Sequence, residues 1–168
     1  MIFSVHPNGS MDVGAETVRC AVGRGGVCIA AVKREGDGKT PAGVWPLRRL
    51  LWRADRIPLP ETALPSKPIH VSDGWCDAPS DRQYNQPVKM PYHGSAESLW
   101  RQDDVYDLVV VFGYNDDPVV PGAGSAIFLH LTRPDYVATE GCVALAREHM
   151  SMFLRLAKPG DFLGIMAG

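Results

Sequence analysis

Residues 125–145 read SAIFLHLTRPDYVATEGCVAL, and two side chains within them, His130 and Cys142, have the chemistry of a reactive site. Ser125 to Leu131 is an apolar run of strand length with His130 at its end. Cys142 follows a glycine, in a loop that closes just before a helical run. Nucleophilic catalysis by a thiol needs a base to take its proton and donors for the oxyanion that develops. A free thiol has a pKa near ~8.5, so an imidazole beside it raises the thiolate fraction at neutral pH. Gly141 has no side chain, which lets the backbone turn sharply and aim N–H groups at a substrate carbonyl. Spacing alone favours a plainer account, in which Cys142 simply packs a core.

Outward from this segment the chain reads as mostly β. Thr17 to Val22 and Val27 to Val32 are β-rich runs separated by Gly23-Arg24-Gly25-Gly26, which predicts a hairpin. Val44 to Arg53 predicts a strand bent at Pro46, and Val105 to Gly113 a strand buried on both faces. Ala54 to Pro91 is rich in Pro, Asp and Ser and reads as a long loop, of the kind that forms lids or binding walls. Ser95 to Gln102 predicts a short helix, with Ser95 as cap and Glu97 in the first turn. Leu145, His149, Met152, Phe153 and Leu156 recur at helical spacing, predicting a helix from Leu145 to Ala157. Lys158-Pro159-Gly160 stops it, and Asp161 to Met166 reads as a last strand. The expected fold is mostly β with two short helices (α+β), in a single domain over residues 1–168.

Composition excludes several functions. The 168 residues, 45% hydrophobic, suit one domain with a real core. The net charge is −2 and the basic residues are scattered, so no basic stripe exists to neutralise phosphates and no nucleic-acid partner is expected. No apolar run is long enough to span a bilayer. Residues 1–10 lack the basic start, apolar run and cleavage site of a secretory signal. Cysteines stand at 20, 28, 76 and 142 with no C-x-x-C pair, which argues against a zinc ribbon. Cys20 and Cys28 lie in alternating apolar segments and read as small buried hydrophobes, and Cys76 is undecided. His6, His70 and His149 have no partner at metal-ligand spacing, so no metal is expected. Gly38-Lys39-Thr40 is not a phosphate loop: Lys33 stands where that motif needs glycine, and Pro41 would break the following helix.

His130 on a strand, followed by Thr139-Glu140-Gly141-Cys142 on a loop, resembles the catalytic motif of the YkuD L,D-transpeptidases, a strand-borne His and then [S/T]-x-G-C. Gly36-Asp37-Gly38-Lys39-Thr40-Pro41-Ala42-Gly43 is similar to the family's early T-P-x-G loop. Tyr114-Asn115, Pro121 to Gly124 and Pro159-Gly160-Asp161 match a compact branch, so the likeness runs from about Arg34 to Ile165. The resemblance implies a YkuD-like β-sandwich that needs no cofactor and acts on peptidoglycan stem peptides as donor and acceptor. Cys142 would attack the carbonyl of the donor's third residue, a diaminopimelate, or one nearer the first-residue L-Ala. His130 would be the base, oriented by the backbone carbonyl of Leu131. The N–H groups of Gly141 and Cys142, with that of Glu140, would form the oxyanion hole.

Two positions depart from the family pattern. Glu140 stands where many members have His, and Ala144 where many have an Arg able to grip a carboxylate bidentately. Arg133 and Arg147 are the candidates to replace that Arg, Arg133 first because of its loop position. Thr139, Glu140, Arg133, Tyr92 and His93 are the expected substrate contacts, and Trp75, Tyr84 and Asn85 are candidate groove-lining residues. Hydrolysis by the same site, giving an L,D-carboxypeptidase or amide hydrolase, and a silent peptidoglycan-binding domain are the competing functions. The substrate implies the periplasm or cell envelope, with the cytoplasm as alternative.

Overall fold

The chain forms thirteen strands in the computed structural model, which describes residues 1–168. Core strands such as Leu108–Phe112 and Phe128–Leu131 are the ones rich in β-branched and apolar residues. The first half of the chain contains β1 (Ile2–His6), β2 (Ser10–Val13), β3 (Glu16–Ala21), β4 (Val27–Ile29) and the long β5 (Thr40–Trp52). Four short strands follow: β6 (Ser66–Pro68), β7 (Asp73–Cys76), β8 (Pro87–Lys89) and β9 (Ala96–Ser98). The chain finishes with β10 (Leu108–Phe112), β11 (Phe128–Leu131), β12 (Val143–Leu145), the helix α1 (Arg147–Leu156) and β13 (Phe162–Ile165).

Two sheets face each other and share their outer strands. One runs β5–β13–β1–β2–β3 and the other β3–β12–β11–β10–β5, so β3 and β5 each belong to both. β5 changes sheets near Pro46, as the sequence led us to expect of a bend there. Gly43 to Pro46 pair with β13, and Leu47 to Trp52 with β10. Strands that cross from one layer to the other make the corners of such a sandwich. Between the layers lies the main core, with Phe3, Val5, Met11, Leu50, Val110, Leu129, Leu145 and Leu163.

A second, smaller core explains why β10 is buried on both faces. The sheet β8–β7–β9 covers the outer side of β10 and β11, enclosing Val109, Val111, Phe128, Trp75, Leu99, Tyr106 and Cys142. Trp75 meets Phe128 edge-on with ring centroids 4.9 Å apart.

The structure corrects four local expectations. Residues 95–102 do not form a helix, because Ala96–Ser98 pair with β7, and sheet pairing outweighs a capping pattern that is only local. Only one α-helix is present. The glycines at 23–26 do turn the chain, with the Gly26 N–H donating to the Gly23 carbonyl at 2.8 Å, but no hairpin follows. β3 is taken by β2 and β12, and β4 runs parallel to β5. Residues 54–91 contain three strands rather than a single loop. Finally, Leu145 belongs to β12, so the buried stripe of α1 is Met150, Phe153 and Leu154, with His149, Met152 and Leu156 only flanking it.

Candidate active site

His130 is held on both sides, opposite Val109 of β10 and Ala144 of β12. Its Nδ1 lies 2.8 Å from the carbonyl oxygen of Leu131. A carbonyl only accepts, so the ring proton sits on Nδ1 and Nε2 keeps its lone pair. The imidazole is 7% exposed, and burial pulls its pKa down to about 4, with the cations Arg101 and Arg133 acting in the same direction and the Leu131 bond opposing. His130 is therefore neutral at pH 7. Tyr106 packs edge-on against it at 5.3 Å between ring centroids.

Cys142 enters from the loop before β12. Gly141 has φ +135°, and a Cβ there would sit 2.8 Å from the Lys39 carbonyl oxygen, so glycine lets the two loops touch. The Cys142 Sγ donates to the Ala126 carbonyl at 3.2 Å and accepts from the Phe128 N–H at 3.3 Å. Burial pushes the thiol up to about 12. Thiol and imidazole thus rest as a neutral pair, with the thiol hydrogen directed at Ala126 rather than at His130. Both groups line one cleft of about 350 Å³.

The loop before β12 is tied down by Thr139. Its Oγ1 donates to the Cys142 carbonyl at 2.6 Å and accepts from the Gly141 N–H at 3.1 Å. The Gly141 N–H, expected to serve an oxyanion, is thus bonded to Thr139 in this structure. The N–H groups of Glu140 and Cys142 have no acceptor within the chain.

The remaining expected contacts separate into two groups. Thr139, Glu140 and Arg133 line the cleft. Glu140 pairs at its rim with Arg24 at 2.9 Å. Arg133 is half exposed and has only a 3.6 Å contact with Asp103. Arg147 instead faces Asp107 at 2.9 Å, beside Arg56, and leaves the cleft to Arg133. Tyr92 and His93 are not among the lining residues. Both bond to Asp81, at 3.1 and 3.2 Å, and His93 is 78% exposed. Trp75, Tyr84 and Asn85 are buried packing and hydrogen-bonding groups outside this cleft; Trp75 and Asn85 instead line a separate cavity of about 200 Å³. Cys76 is fully buried, and Cys28 is partly exposed rather than buried as expected.

Several cleft residues escape a reading of the sequence. Glu35, Asp77 and Glu97 form an acidic side of the cleft, and Arg101 joins Arg133 near His130. Glu97 accepts from the Tyr106 hydroxyl at 2.6 Å, and burial raises its pKa. Glu35 accepts from Ser125 at 2.7 Å and from Tyr84. Arg101 is occupied by a two-pronged bond to Asp103, 2.7 Å on each prong, whose carboxyl it holds at about 2. Only Glu35 carried a signal, its place beside the Gly36 to Gly43 motif.

The class so defined is a β-sandwich with a thiol and an anchored imidazole in one cleft. Within it the chain belongs to the YkuD family, since the model of the YkuD L,D-transpeptidase catalytic domain matches residues 5–165. Among solved structures, an L,D-transpeptidase from Mycobacterium smegmatis is similar at 13% identity and a TM-score of 0.43, covering 99% of this chain. The chain spans 58% of the length of that protein. No curated protein matches the sequence.

Proposed function

We propose that this chain is a single cysteine-dependent catalytic domain that cross-links peptidoglycan stem peptides through an acyl-enzyme on Cys142. The observation that carries this is the Nδ1 bond of His130 to Leu131, which leaves Nε2 as an acceptor in the cleft that holds Cys142. In the proposed reaction Sγ leaves Ala126 and gives its proton to Nε2 as it attacks the donor carbonyl. The oxyanion is received by the N–H groups of Cys142 and Glu140. The C–N bond then breaks, the proton passes from the imidazolium to the leaving D-amino acid, and a thioester remains. An amine of a second stem attacks the thioester, His130 takes its proton, and the thiol is restored as the new amide forms.

The cleft fits a stem peptide, which carries both ammonium and carboxylate groups. Arg133 has a guanidinium available for a carboxylate, in the role that Ala144 cannot fill. The substrate assigns the reaction to the cell envelope, and fractionating cells that express the untagged gene tests that location against the cytoplasm.

Purified protein incubated with muropeptides and followed by mass spectrometry tests the function. Cross-linked dimers are expected, and both Cys142→Ala and His130→Ala should abolish them. Shortened stems without dimers would make water the acceptor. Absence of both dimers and shortened stems would overturn the proposal.

A further inference from the structure

Asn85 is 5% exposed, and all four of its side-chain hydrogen-bonding positions are used. Oδ1 accepts from Trp75 Nε1 at 2.9 Å and from the Ala126 N–H at 3.0 Å. Nδ2 donates to the carbonyls of Asn115, at 2.7 Å, and Tyr114, at 3.3 Å. Ala126 itself has φ +52°, a left-handed conformation that is uncommon for a residue with a side chain. Such a conformation persists only where its surroundings over-determine it. Here the constraint on its N–H is Asn85, and the carbonyl of the same residue is the acceptor of the Cys142 thiol.

We propose that Asn85 is a positioning residue for Cys142, acting through Ala126 to keep the thiol parked and protonated until substrate enters. The physical basis is an asymmetry around Sγ. The Ala126 carbonyl can bond only to the protonated thiol, whereas the Phe128 N–H favours the thiolate. Without Asn85 the Ala126 N–H is left buried and unpaired, the backbone relaxes from the left-handed region, and the carbonyl turns away. The other titratable groups around the thiol stay in place: Glu97 on β9, Tyr106 before β10 and Lys33 after β4 act on it, and His130 on β11 shares its cleft.

The test is site-resolved alkylation of the full chain by iodoacetamide across pH, read by peptide mass spectrometry. In Asn85→Leu, Cys142 should react about fivefold faster at pH 8, the effect of losing one neutral hydrogen bond of ~1 kcal/mol. Cys20 and Cys76, both buried, should stay as slow as in the parent protein. Asn85→Asp keeps an acceptor for the Ala126 N–H but loses both Nδ2 donors and adds a carboxylate, so Cys142 should react more slowly in it than in Asn85→Leu. If Asn85→Leu does not fold, Asn85→Ser is too short to reach the Ala126 N–H and should give the same acceleration. An unchanged Cys142 profile, or equal acceleration of all the buried cysteines, would overturn the proposal. With muropeptides, kcat should fall with KM unchanged; this second readout alone rests on the proposed transpeptidation. The alkylation profile judges Asn85 whether or not the protein turns muropeptides over.

Discussion

His130 and Cys142 are held neutral by the same cause, burial, which lowers the basicity of one and the acidity of the other. In the proposed reaction the proton would then pass from thiol to imidazole as substrate binds, rather than starting from a preformed ion pair. Arg133 is the cleft cation with the weakest internal partner. Arg133→Ala should raise KM for stem peptides roughly tenfold to a hundredfold, the range for one charged hydrogen bond, with little change in kcat. Arg133→Lys should recover part of the loss, and steady-state kinetics on a defined muropeptide measures both. His130, Leu131, Thr139 and Cys142 were legible because they lie within one segment, where order along the chain fixes order in space. Glu35, Asp77, Glu97 and Arg101 were not, because only tertiary pairing brings them to the cleft. Tyr92 and His93 were misplaced for the same reason, since their partner Asp81 is invisible to spacing.

At the scale of elements, β11 links the two cores. Leu129 faces the main core, while Phe128 faces the small one and offers its N–H to Cys142. The sheet β8–β7–β9 reaches this strand chiefly through Trp75. Trp75→Ala should therefore cost about 3–5 kcal/mol, the usual penalty for emptying an aromatic site. It should also release Asn85 and so speed alkylation of Cys142. Calorimetry and labelling on one sample check both effects. The continuous apolar run at 108–112 and the bend at Pro46 could be read directly, because burial on two faces and a fixed φ leave marks in sequence. The false helix at 95–102 and the false hairpin at 23–26 show the converse. Caps and glycines report what the chain permits locally, but the partner strand is chosen elsewhere, by β7 for Ala96–Ser98 and by β5 for Val27–Ile29.

Across the whole molecule, the buried titrating groups set a pH window for stability. His130 drops from 6.5 to about 4, so the unfolded chain binds more protons between those values and stability falls as pH drops through them. Cys20 and Cys142 rise from 9.0 to about 12, so their contribution is complete below 9 and is lost as pH climbs above it. The thermal midpoint should be highest between about pH 7.5 and 9 and lower on each side, the acid-side loss from His130 being partly offset by Glu97, whose pKa is raised by burial. His130→Gln should flatten the acid limb in a calorimetric pH series. The central claim, that this family member works through a thioester on Cys142, is tested most directly by intact-protein mass spectrometry after mixing with a stem tetrapeptide and rapid acid quenching. The account predicts one acyl adduct, mapped to Cys142, absent from Cys142→Ala and strongly reduced in His130→Ala. Cross-linked product formed by Cys142→Ala, or an adduct mapped to any other residue, would contradict it.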